Sequence, residues 1–139
     1  MSHLYVADDN IEFSEFLATV AKREGWTVSL CSNGVELLEK LRSEDGAAFA
    51  LVDINMPEMN GIEVIDDIAE IDRPLRIRFV TGGSDVTLLA AKMIASARSL
   101  SVGRSVFKPV TLDAFCKLLS EEQIELSKMQ SAAKSKPAE

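Results

Sequence analysis

At 139 residues, 47% of them hydrophobic, the chain has the length of one ordinary domain and enough apolar material for a single core, with no room expected for a second globular unit. Its 15 Lys and Arg against 22 Asp and Glu give a formal charge of −7, which argues against direct binding to a polyanionic nucleic-acid backbone. No apolar run approaches the roughly 20 residues that span a bilayer, and no leader-like stretch opens the chain. No membrane insertion is therefore expected, and Cys31 and Cys116, far apart and without metal-ligand spacing, make the reducing cytoplasm the expected compartment.

Short apolar runs alternate with segments of helical period. Residues 4–7 read as a first strand, followed by Asp8 and Asp9. Phe13, Phe16, Leu17 and Val20 then recur at i, i+3, i+4 and i+7, the stripe of an amphipathic helix. Residues 27–30 form a second strand, Val35, Leu38 and Leu41 a short helix, and residues 49–53 a third strand. After a loop over residues 57–61, Ile62, Ile65 and Ile68 mark another helix before a strand at 77–81. Val86, Leu89, Ala90, Met93, Ile94 and Ala97 extend a stripe through three turns, followed by a loop over 101–103 and a fifth strand at 105–107. Thr111 is the expected N-cap of a last helix that carries Leu112, Phe115, Cys116 and Leu119 inward. Residues 121–129, with Ile124, Leu126 and Met129, fit either a longer last helix or a stripe for a partner. From Gln130 onward the chain is small, polar and aperiodic, so residues 1–129 read as the domain and 130–139 as a disordered tail.

Five strands alternating with five helices predict an α/β fold, a parallel sheet covered on both faces. In such a sheet ligands bind beyond the carboxyl ends of strands where strand order reverses, and in the order 2-1-3-4-5 strands 1 and 3 flank that point. Asp8, Asp9 and Asp53 would then share one crevice. Three carboxylates so close raise one another's pKa, and a hard divalent cation such as Mg²⁺ among them resolves the conflict. Thr81 ends the fourth strand and Lys108 the fifth, which brings a hydroxyl and an ammonium to the same edge. The charges of the three carboxylates, the cation and the lysine cancel. A phosphoryl group on Asp53 would add one negative charge for Lys108 and the metal to hold.

Four segments at strand ends carry a family resemblance: Val6-Ala7-Asp8-Asp9-Asn10, Val52-Asp53-Ile54-Asn55-Met56-Pro57-Glu58-Met59-Asn60-Gly61, Val80-Thr81-Gly82 and Phe107-Lys108-Pro109. Together they resemble the signature of response-regulator receiver domains, over about residues 4–120. The resemblance implies a flavodoxin-like (βα)5 fold and a free-standing, non-enzymatic signalling module. It makes Asp53 the phosphoacceptor, Asp9 and Asp53 carboxylate ligands of Mg²⁺, Asn55 a ligand through its main-chain carbonyl, and Asp8 an acid acting on the metal largely through water. Thr81 matches the switch hydroxyl, Lys108 the phosphate-binding ammonium, and Pro109 follows a bond that is usually cis. The implied partners are a histidine kinase or histidine phosphotransfer protein and a downstream protein target, in bacterial two-component signalling.

Rival readings meet specific obstacles. A haloacid-dehalogenase-like phosphatase places a second Asp two positions after its nucleophile, where Asn55 stands here, and the chain is too short for a cap domain. A flavin or nucleotide carrier needs a phosphate-cradling loop after the first strand, where Asp8 and Asp9 would repel the ligand. A scaffold that works without phosphorylation would have no use for the full acceptor set. As for local readings, Asp8 or Asp9 can serve as a helix cap, Trp26 is expected to pack at the edge of the second strand, and His3 has no partner in view.

Two departures from the family stand out. Thr81 and Lys108 are 27 positions apart, more than the family spacing, and a fourth helix longer by about a turn is expected to take up the excess. Ser105 stands where many members carry a mobile Tyr or Phe, and Phe107 is expected to face the core. Signalling is therefore expected to run through the loop at Thr81, Gly82 and Gly83 and through the fourth helix.

Overall fold

β1 (His3–Ala7), β2 (Thr27–Cys31), β3 (Ala48–Asp53) and β4 (Leu75–Thr81) pair in parallel in the order β2-β1-β3-β4, with β5 (Ser101–Val102) and β6 (Val106–Phe107) both paired to β4. The computed structural model describes residues 2–56, 61–82 and 86–135, so residues 57–60 of the loop expected over 57–61, Gly83, and residues 136–139 of the expected tail lie outside it. The helices are α1 (Ile11–Arg23), α2 (Gly34–Arg42), α3 (Gly61–Ala69), α4 (Val86–Ala97) and α5 (Leu112–Ser135). This is the doubly wound arrangement expected from the alternation, with order 2-1-3-4-5 once β5 and β6 are taken as one interrupted fifth strand.

The period-2 alternation of each strand builds two cores. Leu4, Val6, Phe49, Leu51 and Val80 face α1 and α5, where Leu17, Val20, Phe115, Leu119 and Leu126 cover them. Tyr5, Ala7, Ala50, Val52, Ile77 and Phe79 face α2, α3 and α4, where Leu37, Leu41, Val64, Ile65 and Ile68 cover them. Trp26 meets Phe49 edge to face at 6.1 Å and joins the first core, as its place beside the second strand suggested.

Several local expectations need correction. In α4 the buried residues are Leu88, Ala91 and Ala95, whereas Leu89 and Met93 face outward; nearly every position of that helix is apolar, so periodicity could not choose its face. Phe107 is 52% exposed, because strand alternation turns Val106 inward and its neighbour out. Leu112 is 48% exposed at the first position of α5, and Val35 is also exposed. His3 does have partners: its Nε2 shares a hydrogen bond of 2.8 Å with Ser29 Oγ, its Nδ1 lies 3.1 Å from Glu44 Oε2, and its ring stacks on Tyr5.

α5 continues to Ser135, past the point where a tail was expected to begin. Gln130, Ala132, Ala133 and Lys134 are good helix formers, and no Gly or Pro interrupts them before Pro137, so nothing local stops the helix at Met129. Leu126 is buried in the α5 core and Met129 packs against it, which resolves the stretch at 121–129 as a longer helix.

α4 has 12 residues, and at least one residue of the extra chain before Lys108 is taken up in the sheet. Ile77 pairs with Val102 and Val80 with Val106, so three steps along β4 meet four along the partner strand. The one surplus residue makes a bulge between β5 and β6, and of the stretch 101–103 expected to be loop, Ser101 and Val102 are paired strand. Gly103 opens the bulge and donates its N–H to Ile77 O at 2.8 Å. A Cβ there would sit 2.9 Å from both Arg76 Nη2 and Arg78 Nε.

Those two arginines alternate with Leu75, Ile77 and Phe79, and so point at α5. Glu122, fully buried, accepts from Arg76 Nε at 2.6 Å and from Arg78 Nε at 2.9 Å, and Glu121 pairs with Arg78 Nη2 at 3.2 Å. Arg76 Nη1 also donates to Ser101 Oγ at 3.0 Å. The polar side of β4 is thereby paired across to α5 and β5.

Candidate phosphoacceptor and metal site

The carboxyl ends of β1 and β3 lie side by side, with Ala7 opposite Val52, so the residues that follow open into one crevice. Asp8 comes directly after β1, its N–H donating to Cys31 O at 3.0 Å as the pairing with β2 runs out. Neither Asp8 nor Asp9 caps α1. Asn10 does, its side chain accepting from Phe13 N at 3.1 Å, which leaves both acids to the crevice. Asp8 Oδ1 accepts from Asn10 N and Asp53 Oδ1 from Asn55 N, each at 2.8 Å. These matching turns aim one oxygen of each carboxylate at backbone and leave the other for the crevice.

Oxygens of Asp8, Asp9 and Asp53 lie within 4.8 Å of one another. Lys108 reaches them from the end of β6, with Nζ 2.8 Å from Asp8 Oδ2 and 3.3 Å from Asp53 Oδ2. Asp8 Oδ2 is buried and meets Lys108 as an ion pair without a formed hydrogen bond. The Lys108–Pro109 bond is cis, and Lys108 N–H donates to Thr81 O at 2.9 Å, tying the ends of β4 and β6 together. Thr81 itself is fully buried at the end of β4.

Burial pushes the Asp53 carboxyl above the usual carboxylate range, and the charge of Asp8 adds to this, while the Asn55 N–H and the Lys108 ammonium act against it. For Lys108, burial works against the charge, but the close contact with Asp8 and the charges of Asp53 and Asp8 outweigh it and raise its pKa. Three carboxylates facing one ammonium is an arrangement short of positive charge. The close spacing of the three carboxylates, with the buried Asp8 Oδ2 held by the charge of Lys108 and not by a formed hydrogen bond, fits a hard, oxygen-seeking dication whose opposite ligands lie roughly 4 Å apart.

Residues 4–120 match the response regulator receiver domain. The chain belongs to that family. Receiver domains act in two-component systems as signalling modules rather than as enzymes on external substrates. Among the bacterial relatives of this receiver, response regulator receiver protein CpdR of Brucella abortus (strain 2308) is 36% identical over 88 residues, covering 63% of this chain and 72% of CpdR. The transcriptional regulatory protein CpxR homolog of Haemophilus influenzae is 35% identical over 86 residues, covering 62% of this chain but only 37% of that protein. A CheY-like receiver domain protein from Methanospirillum hungatei JF-1 superposes with a TM-score of 0.80 at 21% identity, over 93% of this chain and 98% of that one. The response regulator TrrA of Thermotoga maritima, solved in complex with Mg²⁺-BeF, gives 0.69 at 24% identity, over 87% and 98%. Both structures share the fold.

Of the residues singled out from the sequence, Asp8, Asp9, Asp53 and Lys108 converge directly, Asn55 joins through its N–H, and Thr81 sits one strand over. Phe13 went unnoticed: its ring centroid lies 4.7 Å from Lys108 Nζ. In the sequence it belongs only to the apolar stripe of α1, and nothing there marks a ring that will meet an ammonium. Among the described residues no helix is long and apolar enough to cross a membrane.

Proposed function

We propose that this receiver accepts one phosphoryl group on Asp53 from a phosphohistidine of a histidine kinase or histidine phosphotransfer protein, and signals by binding a partner or by passing the group on. The observation that carries the reading is the charge arrangement: three clustered carboxylates that, among the described residues, face one ammonium, Lys108. Asp9 and Asp53 would hold Mg²⁺ with the Asn55 main-chain carbonyl, and Asp8 would act on it largely through water. The bound cation would supply positive charge to the phosphoryl oxygens.

In the transfer, a carboxylate oxygen of Asp53 forms the new bond to phosphorus as the phosphorus–nitrogen bond of the donor breaks, its electron pair leaving with the imidazole. Lys108, already between Asp8 and Asp53, takes up the added negative charge. Thr81, buried at the end of the neighbouring strand, would respond with its hydroxyl. With Ser105 in the bulge and Phe107 exposed, the response would travel through the Thr81 loop and α4, without an aromatic side chain that turns inward.

Incubation with acetyl phosphate and Mg²⁺, followed by intact-mass measurement, tests the reading. The expected result is one acid-stable, base-labile phosphoryl group, absent from Asp53→Asn and absent when the metal is chelated. Equal labelling of Asp53→Asn would remove the site assignment, and labelling indifferent to chelation would remove the metal.

A further inference from the structure

Lys108 must keep its ammonium in place while the charge beside it changes, and two of its three sides are held by Asp8 Oδ2 at 2.8 Å and Asp53 Oδ2 at 3.3 Å. The ring of Phe13 meets the ammonium as well, its centroid 4.7 Å from Nζ, within the range where the negative face of an aromatic ring attracts a cation. The ring is itself fixed. Phe13 is the third residue of α1, its N–H is taken by the Asn10 cap at 3.1 Å, and it packs against the core formed with α5. The turn that starts α1 just after Asp8 and Asp9 therefore also sets the wall against which Lys108 rests.

We propose that Phe13 is a positioning residue for Lys108: its ring holds the ammonium at the Asp8–Asp53 gap, so that the cation is in place before the phosphoryl group arrives. The inference rests on the phosphoacceptor reading for its consequence, but not for its geometry. A leucine at position 13 keeps most of the apolar bulk and loses the ring, whereas tyrosine keeps both. Phe13→Leu should therefore slow phosphorylation by acetyl phosphate about threefold to tenfold, and Phe13→Tyr should restore it.

The experiment has two arms. In the metal-free, unphosphorylated protein, NMR of the Lys108 side chain should show its Cε protons shifted upfield by the ring current; the shift should vanish in Phe13→Leu and persist in Phe13→Tyr. In the kinetic arm, Phe13→Leu is placed in wild-type and in Lys108→Ala backgrounds, and the slowing should appear only where the lysine is present. A ring that merely fills space would slow both backgrounds alike, and that result would overturn the proposal, as would a Lys108 shift unaffected by Phe13→Leu. Failure of wild type to take up any phosphoryl group would sink the proposed function instead, with the NMR arm still deciding whether Phe13 holds Lys108.

Discussion

Two groups of charge sit on the same strand layer and are built in opposite ways. Under α5, Arg76 and Arg78 meet Glu121 and Glu122, two cations against two anions, with the buried Glu122 accepting from both arginines. At the carboxyl edge, Asp8, Asp9 and Asp53 cluster with one cation among the described residues, Lys108, which is ion-paired to the buried Asp8 Oδ2 without a formed hydrogen bond. A balanced, fully bonded group is a structural joint. On the proposed function, the unbalanced one is where a hard divalent cation would supply the missing positive charge.

The comparison is broken most forcefully at Glu122. Removing a buried carboxylate strands two guanidinium groups, so Glu122→Ala should cost about 3–5 kcal/mol in urea unfolding. Glu121, half exposed, should cost no more than about 1 kcal/mol on replacement by Ala. Similar losses for the two would mean that Glu122 is not the centre of the joint. Next in size is Gly103→Ala: a Cβ 2.9 Å from both arginines must push them off Glu122, which should destabilise by about 1–3 kcal/mol. An unchanged midpoint would show that the bulge yields freely and does not depend on glycine.

The smallest effect concerns His3, at the opposite end of the sheet. Burial, helped by the charge of Arg73 and opposed by Glu44, lowers its pKa below the ordinary 6.5. The unfolded chain then binds the proton more readily, so His3 favours folding above about pH 6.5 and loses that contribution as pH falls towards the folded value. On acidification through this window wild type should lose more stability than His3→Asn. Parallel losses would contradict the assigned direction.

Sequence legibility followed the kind of signal each region carries. Strands at 4–7 and 49–53 were plain because both faces are covered, giving continuous apolar runs ended by acids. Asp8, Asp9, Asp53 and Lys108 could be brought together because each ends a strand, and strand order alone makes those ends converge. The interrupted fifth strand was not legible: two residues, Ser101 and Val102, are too short for any period, and the bulge appears only in their register with β4. Nor was the Arg76–Glu122 joint, since 46 positions separate its partners and each looks like an ordinary surface charge until β4 turns its polar side to α5. Phe107 misled because an aromatic beside a strand end suggests burial, while alternation after Val106 decides otherwise.

The central claim, that the carboxyl edge is incomplete without a divalent cation, is tested most directly by thermal unfolding of wild type and Asp53→Asn across a Mg²⁺ titration. Without metal, Asp53→Asn should be the more stable of the two, since it removes one of three clustered charges. With Mg²⁺ the order should invert, wild type gaining up to about 2.7 kcal/mol at a hundredfold excess over its dissociation constant and the variant gaining much less. A wild-type melting temperature that stays constant through millimolar Mg²⁺, with Asp53→Asn running parallel below it, would contradict the account.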